Sequence, residues 1–425
     1  MYFSFAVRIR SYFMSALQNI LIIGTVWPEP NSSAAGSRMM QLIEQFLKQG
    51  WTITFASAAS DSEFAFDVQT LGIQKVNIEL NNKSFDEFVA KLNPSVVLFD
   101  RFMIEEQFGW RVAESCPDAL RILDTIDLHC LRQARQLAFK ENRKFTTKDL
   151  FSDTAKREIA SILRCDCSLI ISDFEMNLLQ QYFKIDKDLL CYIPFLLDKI
   201  EEKEKKEWPT FEDRVNFITI GNFIHEPNWN AVQYLKEEIW PLIRKQLPTA
   251  ELHIYGAYAS QKVNELNNPK EGFLIKGRVA DAMTVVKNAK ICLAPLRFGA
   301  GIKGKLVEAM QCGTPSVTTD IGAEGMHGEF EWNGIIANSP IEIAQTAVKL
   351  YSDKLLWQKS QENGVTIINN FYSKEKFGKK LIEEIELLQK KLTEHRHKNF
   401  IGAMLMHHTV SGTKYMSKWI EEKNK

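Results

Sequence analysis

Residues 291–320 read ICLAPLRFGAGIKGKLVEAMQCGTPSVTTD, and four segments follow one another in this stretch. The apolar run ICLAPL predicts a buried strand, FGAGIKG a glycine-rich loop, KLVEAMQC a helix and TPSVTTD a second strand. Strand, helix and strand in this order form the βαβ unit of a parallel sheet, whose ligands bind at the carboxyl ends of the strands. The stretch therefore predicts an α/β domain with a candidate binding loop at residues 298–304.

The glycine-rich loop matches two phosphate-binding patterns and departs from both. Residues 299–305 fit the start of a P-loop, but Leu306 stands where a hydroxyl residue would hold magnesium, so this interpretation is rejected. The glycines also fit the dinucleotide pattern G-x-G-x-x-G, with Asp320 about 20 residues further on. Residues 296–298 separate the strand from the first glycine, however, and the loop comes late in its domain, so this match is also disfavoured.

A third interpretation is a loop and helix N-terminus that bind the diphosphate of an activated donor. Gly299 and Gly301 would let the backbone approach the anion, while Lys303 and Lys305 would add positive charge to that of the helix dipole. Glu308 would then turn toward a ribose diol. The alternative is that the lysines are merely solvated and that Glu308 only favours the helix dipole.

Composition excludes several classes of protein. The chain has 425 residues, of which 45% are hydrophobic and 25% charged, as in soluble globular proteins of two or three domains. Lysine plus arginine and aspartate plus glutamate both number 53, so no overall charge indicates a nucleic-acid partner. The 7 cysteines lie in apolar runs without zinc spacing, which predicts reduced thiols, a cytoplasmic location and no metal site.

The N-terminal segment MYFSFAVRIRSYFMSAL is a poor signal peptide, because Arg8 and Arg10 interrupt its short apolar stretch. Either translation starts at Met14, or the segment is amphipathic and makes peripheral contact with the cytoplasmic face of a membrane.

Strand-like and helical patterns alternate along both halves of the chain, and a charged stretch separates the halves. The predicted fold class is α/β, with two facing doubly wound Rossmann-like domains and a helical C-terminal segment. The predicted divisions are an extension (1–18), an N-terminal acceptor-side domain (19–198), a linker (199–214), a C-terminal donor domain (215–370), and C-terminal helices with a tail (371–425).

Two long segments carry a family resemblance. FITIGNFIHEPNWNAVQYLKEEIWPLI (217–243) and APLRFGAGIKGKLVEAMQCGTPSVTTDIGAEGM (294–326) resemble the donor-binding half of GT-B glycosyltransferases of the family 4 type. In the N-terminal half, NSSAAGSRMMQLIEQFLKQGW, LDTIDLHCLRQAR and SDFEMNLL resemble the corresponding acceptor-side segments. The resemblance spans about residues 19 to 370 and leaves the substrates open.

The resemblance implies retaining transfer of a sugar from a nucleoside-diphosphate sugar to an acceptor hydroxyl, in glycan or polysaccharide biosynthesis. Glu308 corresponds to the second glutamate of the family's paired-glutamate motif and would bind the nucleotide ribose. The first glutamate of the pair is replaced by Ala300, which puts the identity of the sugar in doubt. Two alternatives therefore stay open: a nucleotide-sugar epimerase on the same fold, and a non-catalytic sugar-nucleotide-binding subunit.

The resemblance and the residue chemistry together define the predicted catalytic groups. Lys303 and Lys305 would neutralise the departing diphosphate, so that no metal and no other cofactor is required. His129 matches the acceptor-domain histidine and would touch the donor sugar, unless it only packs or caps. Asp127 would either orient His129 or cap the helix that follows.

Three further segments contribute candidate residues. Gly221 and Asn222 would present backbone groups to the diphosphate, with His225 either nearby or only a turn residue. Glu324, between two glycines, would contact donor hydroxyls. Arg38, at the start of the first N-terminal helix, would either approach the anionic donor or be solvated.

Overall fold

The computed structural model describes residues 18–407 together with Tyr415, Trp419 and Lys423. The predicted extension, apart from Gln18, lies outside the described residues. Two parallel sheets, one of seven strands and one of six, form two α/β domains in succession along the chain. The predicted fold class is confirmed.

The N-terminal sheet is doubly wound. Its strands are β1 (Asn19–Gly24), β2 (Thr52–Ser57), β3 (Gln74–Asn77), β4 (Val96–Asp100), β5 (Leu120–Asp124), β6 (Cys167–Ile170) and β7 (Leu190–Tyr192). Its helices are α1 (Ala34–Lys48), α2 (Ser84–Leu92), α3 (Phe102–Ser115), α4 (His129–Lys140), α5 (Asp153–Arg164) and α6 (Asp173–Tyr182). The order β3-β2-β1-β4-β5-β6-β7 reverses direction between β1 and β4, which opens a crevice at their carboxyl ends.

The C-terminal sheet repeats this plan after the short helix α7 (Glu202–Lys206). Its strands are β8 (Phe217–Ile220), β9 (Leu252–Tyr255), β10 (Phe273–Gly277), β11 (Ile291–Ala294), β12 (Ser316–Thr318) and β13 (Gly334–Ile336). Its order is β10-β9-β8-β11-β12-β13, so the chain reverses between β8 and β11. The glycine-rich loop follows β11 and therefore lies at this switch point, where open α/β sheets bind ligands.

Helices cover both faces of the second sheet and continue to the end of the described chain. They are α8 (Glu226–Tyr234), α9 (Trp240–Gln246), α10 (Gln261–Asn264), α11 (Ala282–Asn288), α12 (Gly304–Gln311), α13 (Asp320–Ala323), α14 (Pro340–Ser352), α15 (Lys354–Phe371), α16 (Lys374–Lys390), α17 (Leu392–Lys398) and α18 (Phe400–Met406). Within residues 18–407, no helix combines the length and the apolar character needed to cross a membrane.

The sequence pattern after β8 predicts one helix from about Asn230 to Arg244, and the structure differs from this prediction. The helix begins earlier, at Glu226, because His225 is extended and Pro227 suits the first helical turn. A π-helical turn (Leu235–Ile239) joins α8 to α9 just before Pro241, whose missing N–H interrupts the regular α-helical ladder.

Two chain segments connect the domains side by side. Leu197 leaves the N-terminal domain beside Tyr372, where the chain returns, and the Leu197 N–H donates to the Tyr372 carbonyl over 2.9 Å. Helix α16 then packs on the N-terminal domain, where Phe377, Leu381 and Ile385 are buried in the same core as α1. The C-terminal segment thus completes the first domain.

Candidate active site

A cleft of about 870 Å³ lies between the domains and is lined by loops at the carboxyl ends of strands in both sheets. Most of the predicted site residues line it: Lys303, Lys305, His129, Gly299, Glu308, Gly221 and Asn222, together with Asp127 and His225. The structure brings these residues from three separate regions of the sequence to one cavity. Gly301 and Glu324 are not on its wall.

The loop after β11 owes its shape to glycine. Gly299 and Gly301 have φ angles of 155° and 63°, which residues other than glycine rarely adopt. A Cβ atom on Gly301 would lie 2.7 Å from the Cβ of Asp127 in the other domain, so the close approach also requires glycine. Gly301 therefore lies in the contact between the two domains, where it allows the loop to turn.

The two lysines of the loop are cations without a carboxylate partner. Lys303 is buried at the N-terminus of α12 and donates to the Gly301 carbonyl over 2.8 Å, and its side chain leaves that N-terminus uncapped. Among the described residues, no carboxylate forms an ion pair with Lys303 or Lys305. Burial lowers the pKa of each to about 8, partly opposed by Glu324 at Lys303 and by Cys292 and Glu308 at Lys305. This arrangement suits a bound anion.

The loop after β8 lies beside the lysine loop, because β8 and β11 are neighbouring strands of one sheet. The Lys305 Nζ would lie 3.0 Å from a Cβ on Gly221, so the ammonium lies directly against this backbone. The Gly221 N–H already donates to the Tyr255 carbonyl over 3.1 Å, whereas the Asn222 N–H has no acceptor within the described part of the chain. Of the two predicted backbone groups, only that of Asn222 is available to a ligand.

His129 is the first residue of α4 and lines the cleft, with its ring edge against Phe102. Its Nδ1 hydrogen-bonds to the main-chain carbonyl of Asp127 over 3.2 Å, and one carboxylate oxygen each of Asp127 and Glu158 lies 3.4 Å from it. Burial opposes ionisation of Asp127, but Arg132 and His129 hold the pKa of its carboxyl at about 2. Asp127 is thus a charged partner of Arg132 as well as of His129.

Glu308 lies half-buried on the cleft wall behind Lys305. Burial raises the pKa of its carboxyl, and Lys305 partly opposes this. No hydrogen-bond partner satisfies its side chain within residues 18–407, which leaves both oxygens free to accept from a ligand hydroxyl.

Glu324 and Arg38 have other surroundings than expected, whereas His225 lies near the site, on the cleft wall. Glu324 pairs with Arg135, each oxygen at 2.7 Å, so its carboxylate joins the two domains instead of facing donor hydroxyls. Arg38 is neither solvated nor in the cleft: it is buried against Asp124 and donates to the Ile193 carbonyl over 2.7 Å. Burial lowers the pKa of His225 to about 4, so this cleft histidine is neutral near pH 7.

Sequence reasoning missed two residues that fix the loop from the opposite domain. Glu175 accepts from the Gly301 N–H over 2.9 Å and from the Leu128 N–H over 3.0 Å. Burial, aided by Asp127, raises the pKa of this carboxyl to about 7. Arg135 donates to the Gly299 carbonyl over 2.9 Å. Both residues lie in segments that carried the family resemblance, but nothing in the sequence pairs them with the loop.

Two strained residues lie on the N-terminal wall. Arg101 has φ 73° and ψ 158°, a region occupied almost only by glycine, and its N–H donates to the Asp124 carbonyl over 2.9 Å. Ile126, a β-branched residue, has φ 63°. Such conformations cost of the order of 1–3 kcal/mol each and persist at functional sites where the surrounding structure enforces them.

Residues 214–353 match the family model described as "Glycosyl transferases group 1". No curated protein sequence matches the chain significantly.

Solved structures match over most of the chain. Sucrose-phosphate synthase from Thermosynechococcus elongatus is 15% identical with a TM-score of 0.64, covering 87% of this chain and 99% of its own. HepE from Anabaena, in complex with UDP-glucose, is 12% identical with a TM-score of 0.65, covering 87% and 100%. A mutant of S. aureus TarM, in complex with fondaparinux, α-GlcNAc-glycerol and UDP, is 10% identical with a TM-score of 0.64, covering 87% and 99%. The chain therefore has the GT-B fold of these glycosyltransferase structures, and its residues 214–353 are similar to the group 1 glycosyltransferase domain.

Proposed function

We propose that this protein is a retaining glycosyltransferase that moves a sugar, typically a hexose, from a nucleoside-diphosphate sugar to an acceptor hydroxyl in glycan or polysaccharide biosynthesis. The observation that carries the proposal is the pair of lysines without carboxylate partners at the N-terminus of α12, both on the cleft wall and with Lys305 beside the β8 loop. An anion between these two loops would meet both ammonium groups and the uncapped helix.

The proposed chemistry follows from the leaving group. Departure of a nucleoside diphosphate places negative charge on phosphate oxygens, and preorganised cations stabilise that charge most in the transition state. Lys305 and Lys303 would supply these cations, and Glu308 would hold the ribose. The acceptor hydroxyl would approach the face of the sugar from which the nucleoside diphosphate departs, and a phosphate oxygen of this leaving group would accept its proton. This scheme requires no metal.

Recognition of the sugar falls to the N-terminal wall. Ala300 offers no carboxylate, and its side chain packs against the N-terminal core. His129, oriented by Asp127 and Glu158, is the polar group that we assign to the donor sugar. Because HepE and TarM were solved with UDP-glucose and UDP, UDP-sugars are the first donors to test.

We also propose a cellular location for the protein. We expect a cytoplasmic protein, because its 7 cysteines are all buried and free. Peripheral contact with the cytoplasmic face of a membrane is proposed through α18, whose Phe400, Ile401 and Met404 expose apolar side chains. Cosedimentation with anionic vesicles of the wild-type chain, but not of a variant with aspartate at these three positions, would support that contact.

Donor turnover tests the central proposal. Purified protein is incubated with UDP- and GDP-hexoses and a panel of hydroxyl acceptors, and released nucleoside diphosphate is measured. Lys305→Ala should lower turnover roughly 100-fold or more, as expected when a group that stabilises transition-state charge is removed. Lys262→Ala, which alters an exposed lysine of the same domain, should retain full activity.

The products separate this function from its alternatives. NMR of the glycoside formed should show the anomeric configuration of the donor, as retention requires. An epimerised sugar nucleotide formed without acceptor would instead favour an epimerase, and UDP binding without turnover of any donor would favour a non-catalytic subunit. Full activity of both Lys305→Ala and Glu308→Ala would refute the assignment of the loop.

A further inference from the structure

Arg101 lies on the N-terminal wall of the cleft, which the proposed function leaves to the acceptor. It stands between the end of β4 and the first residue of α3 and lines the cavity with Met103 and Ile126. Its backbone conformation, held by the hydrogen bond to Asp124, fixes where the side chain leaves the main chain.

The guanidinium of Arg101 has no hydrogen-bond acceptor within residues 18–407. Its side chain is only 19% exposed, and its nearest carboxylate oxygen, Oδ2 of Asp100, lies 3.7 Å away. That oxygen already accepts from the Thr25 N–H over 3.0 Å. Five donors in a largely buried position normally find acceptors, so these donors are available to a ligand in the cleft.

The other cationic side chains on the cleft wall have partners or belong to the proposed donor site. Arg132 is paired with Asp127, and Arg278 lies over the ring of Phe64 with its carbon 4.1 Å from the centroid. Lys303 and Lys305 belong to the donor loop of the opposite domain. Arg101 is therefore the cleft cation, within the described chain, that has no close carboxylate, no aromatic ring beneath it and no role in the donor site.

We propose that the acceptor carries an oxyanion, a phosphate or a carboxylate, and that Arg101 binds this group. The inference rests on the proposed function, because it names the substrate class for the acceptor side of the same cleft. A planar guanidinium binds either oxyanion through two parallel hydrogen bonds, and the fixed backbone of Arg101 limits the freedom lost on binding.

Direct binding tests this site without any transfer reaction. The protein is first saturated with UDP or GDP, whichever binds, so that the donor lysines are occupied. It is then titrated by calorimetry with inorganic phosphate, glucose 6-phosphate, glucuronate and glucose. At least one anionic sugar should bind tighter than glucose to the wild-type protein. Arg101→Gln should weaken its affinity roughly 10- to 100-fold, in the range expected for lost charged hydrogen bonds.

Control variants locate the effect. Arg143→Gln alters an exposed arginine of the same domain and should bind the anionic sugar as the wild type does. Arg101→Lys should recover only part of the affinity, since a point charge cannot form the paired hydrogen bonds. The ranking of glucose 6-phosphate against glucuronate assigns the oxyanion as phosphate or carboxylate.

Acceptor kinetics provide the second arm. Arg101→Gln should raise KM for the anionic acceptor while kcat and the dissociation constant of the donor stay near wild type. Equal anion binding in Arg101→Gln, a wild-type preference for neutral acceptors, or a loss of donor affinity instead of acceptor affinity would each overturn the inference. Anion binding that depends on Arg101, with no turnover of any donor, would instead support this site and contradict the proposed transferase.

Discussion

At the scale of single residues, the cleft contains groups in conformations and protonation states that a folded chain does not adopt without cause. Arg101 occupies a backbone region suited to glycine, and Glu175 is a buried acid with a pKa of about 7. Arg101 lines the cleft, and Glu175 accepts the hydrogen bond of the Gly301 N–H in the loop beside it. Strain at a functional site is retained when the side chain that it positions is needed.

Replacing Arg101 separates its two roles. Arg101→Gly should have a free energy of unfolding roughly 1 kcal/mol higher than that of Arg101→Ala. Glycine relieves the backbone strain that alanine retains, and the larger conformational entropy that glycine loses on folding offsets only part of this gain. Chemical denaturation at fixed pH measures the difference. Both variants should lose the binding of anionic acceptors equally. If alanine proved as stable as glycine at this position, the backbone would not be strained.

At the scale of elements, we expect the loop after β11 and helix α12 to act as one anion-binding unit. The glycines allow the turn, the helix supplies uncapped N–H groups, and the two lysines lie within the same turn. Within residues 18–407 no carboxylate forms an ion pair with either ammonium group, so burial favours loss of the proton and gain of an anion.

The lowered lysine pKa values predict a pH dependence of donor binding. A lysine with a pKa of about 8 is charged below that pH and neutral above it, so the affinity for UDP should fall as the pH rises from 7 to 9.5. Arginine stays charged throughout this range, so Lys305→Arg should show a shallower fall. Calorimetry across this pH range measures the affinity for UDP, with Lys262→Arg as the control variant. A wild-type affinity that is constant across these pH values would contradict the cationic role.

At the scale of the whole molecule, the shape of the donor loop depends on the domain that does not contain it. Arg135 holds the Gly299 carbonyl, Glu175 holds the Gly301 N–H, and the Tyr258 hydroxyl reaches Glu29 over 3.0 Å elsewhere between the domains. Separation of the domains would remove every one of these contacts. Formation of the site is therefore coupled to domain closure.

The C-terminal helix α16 couples the far end of the chain to the first domain. Leu381 is fully buried in the core that includes α1, so Leu381→Ala should destabilise the N-terminal domain by about 2–5 kcal/mol. Hydrogen exchange should then accelerate in α1 before it does so in the C-terminal sheet. Leu387→Ala, on an exposed position of α16, should change exchange little. Faster exchange confined to the C-terminal domain would contradict this packing.

Local patterns in the sequence predicted the elements that depend on local forces. The strands β1, β4, β8 and β11 are continuous apolar runs, as strands buried on both faces must be, and the glycine-rich loop with α12 follows from turn and helix preferences. The strands β3, β7 and β13 were not predicted; each lies at an edge of its sheet and is defined by pairing with one neighbouring strand, which is a tertiary contact.

Sequence alone determined that the chain is a doubly wound α/β protein with a phosphate-type loop, and it brought forward Lys303, Lys305, Glu308 and His129 as site residues. Tertiary structure decided what lies opposite them. It placed Glu324 on Arg135, buried Arg38, and left Arg101 without an acceptor. The physical reason is that propensity and periodicity arise between neighbours along the chain, whereas ion pairs, burial and closure join residues that are far apart in it.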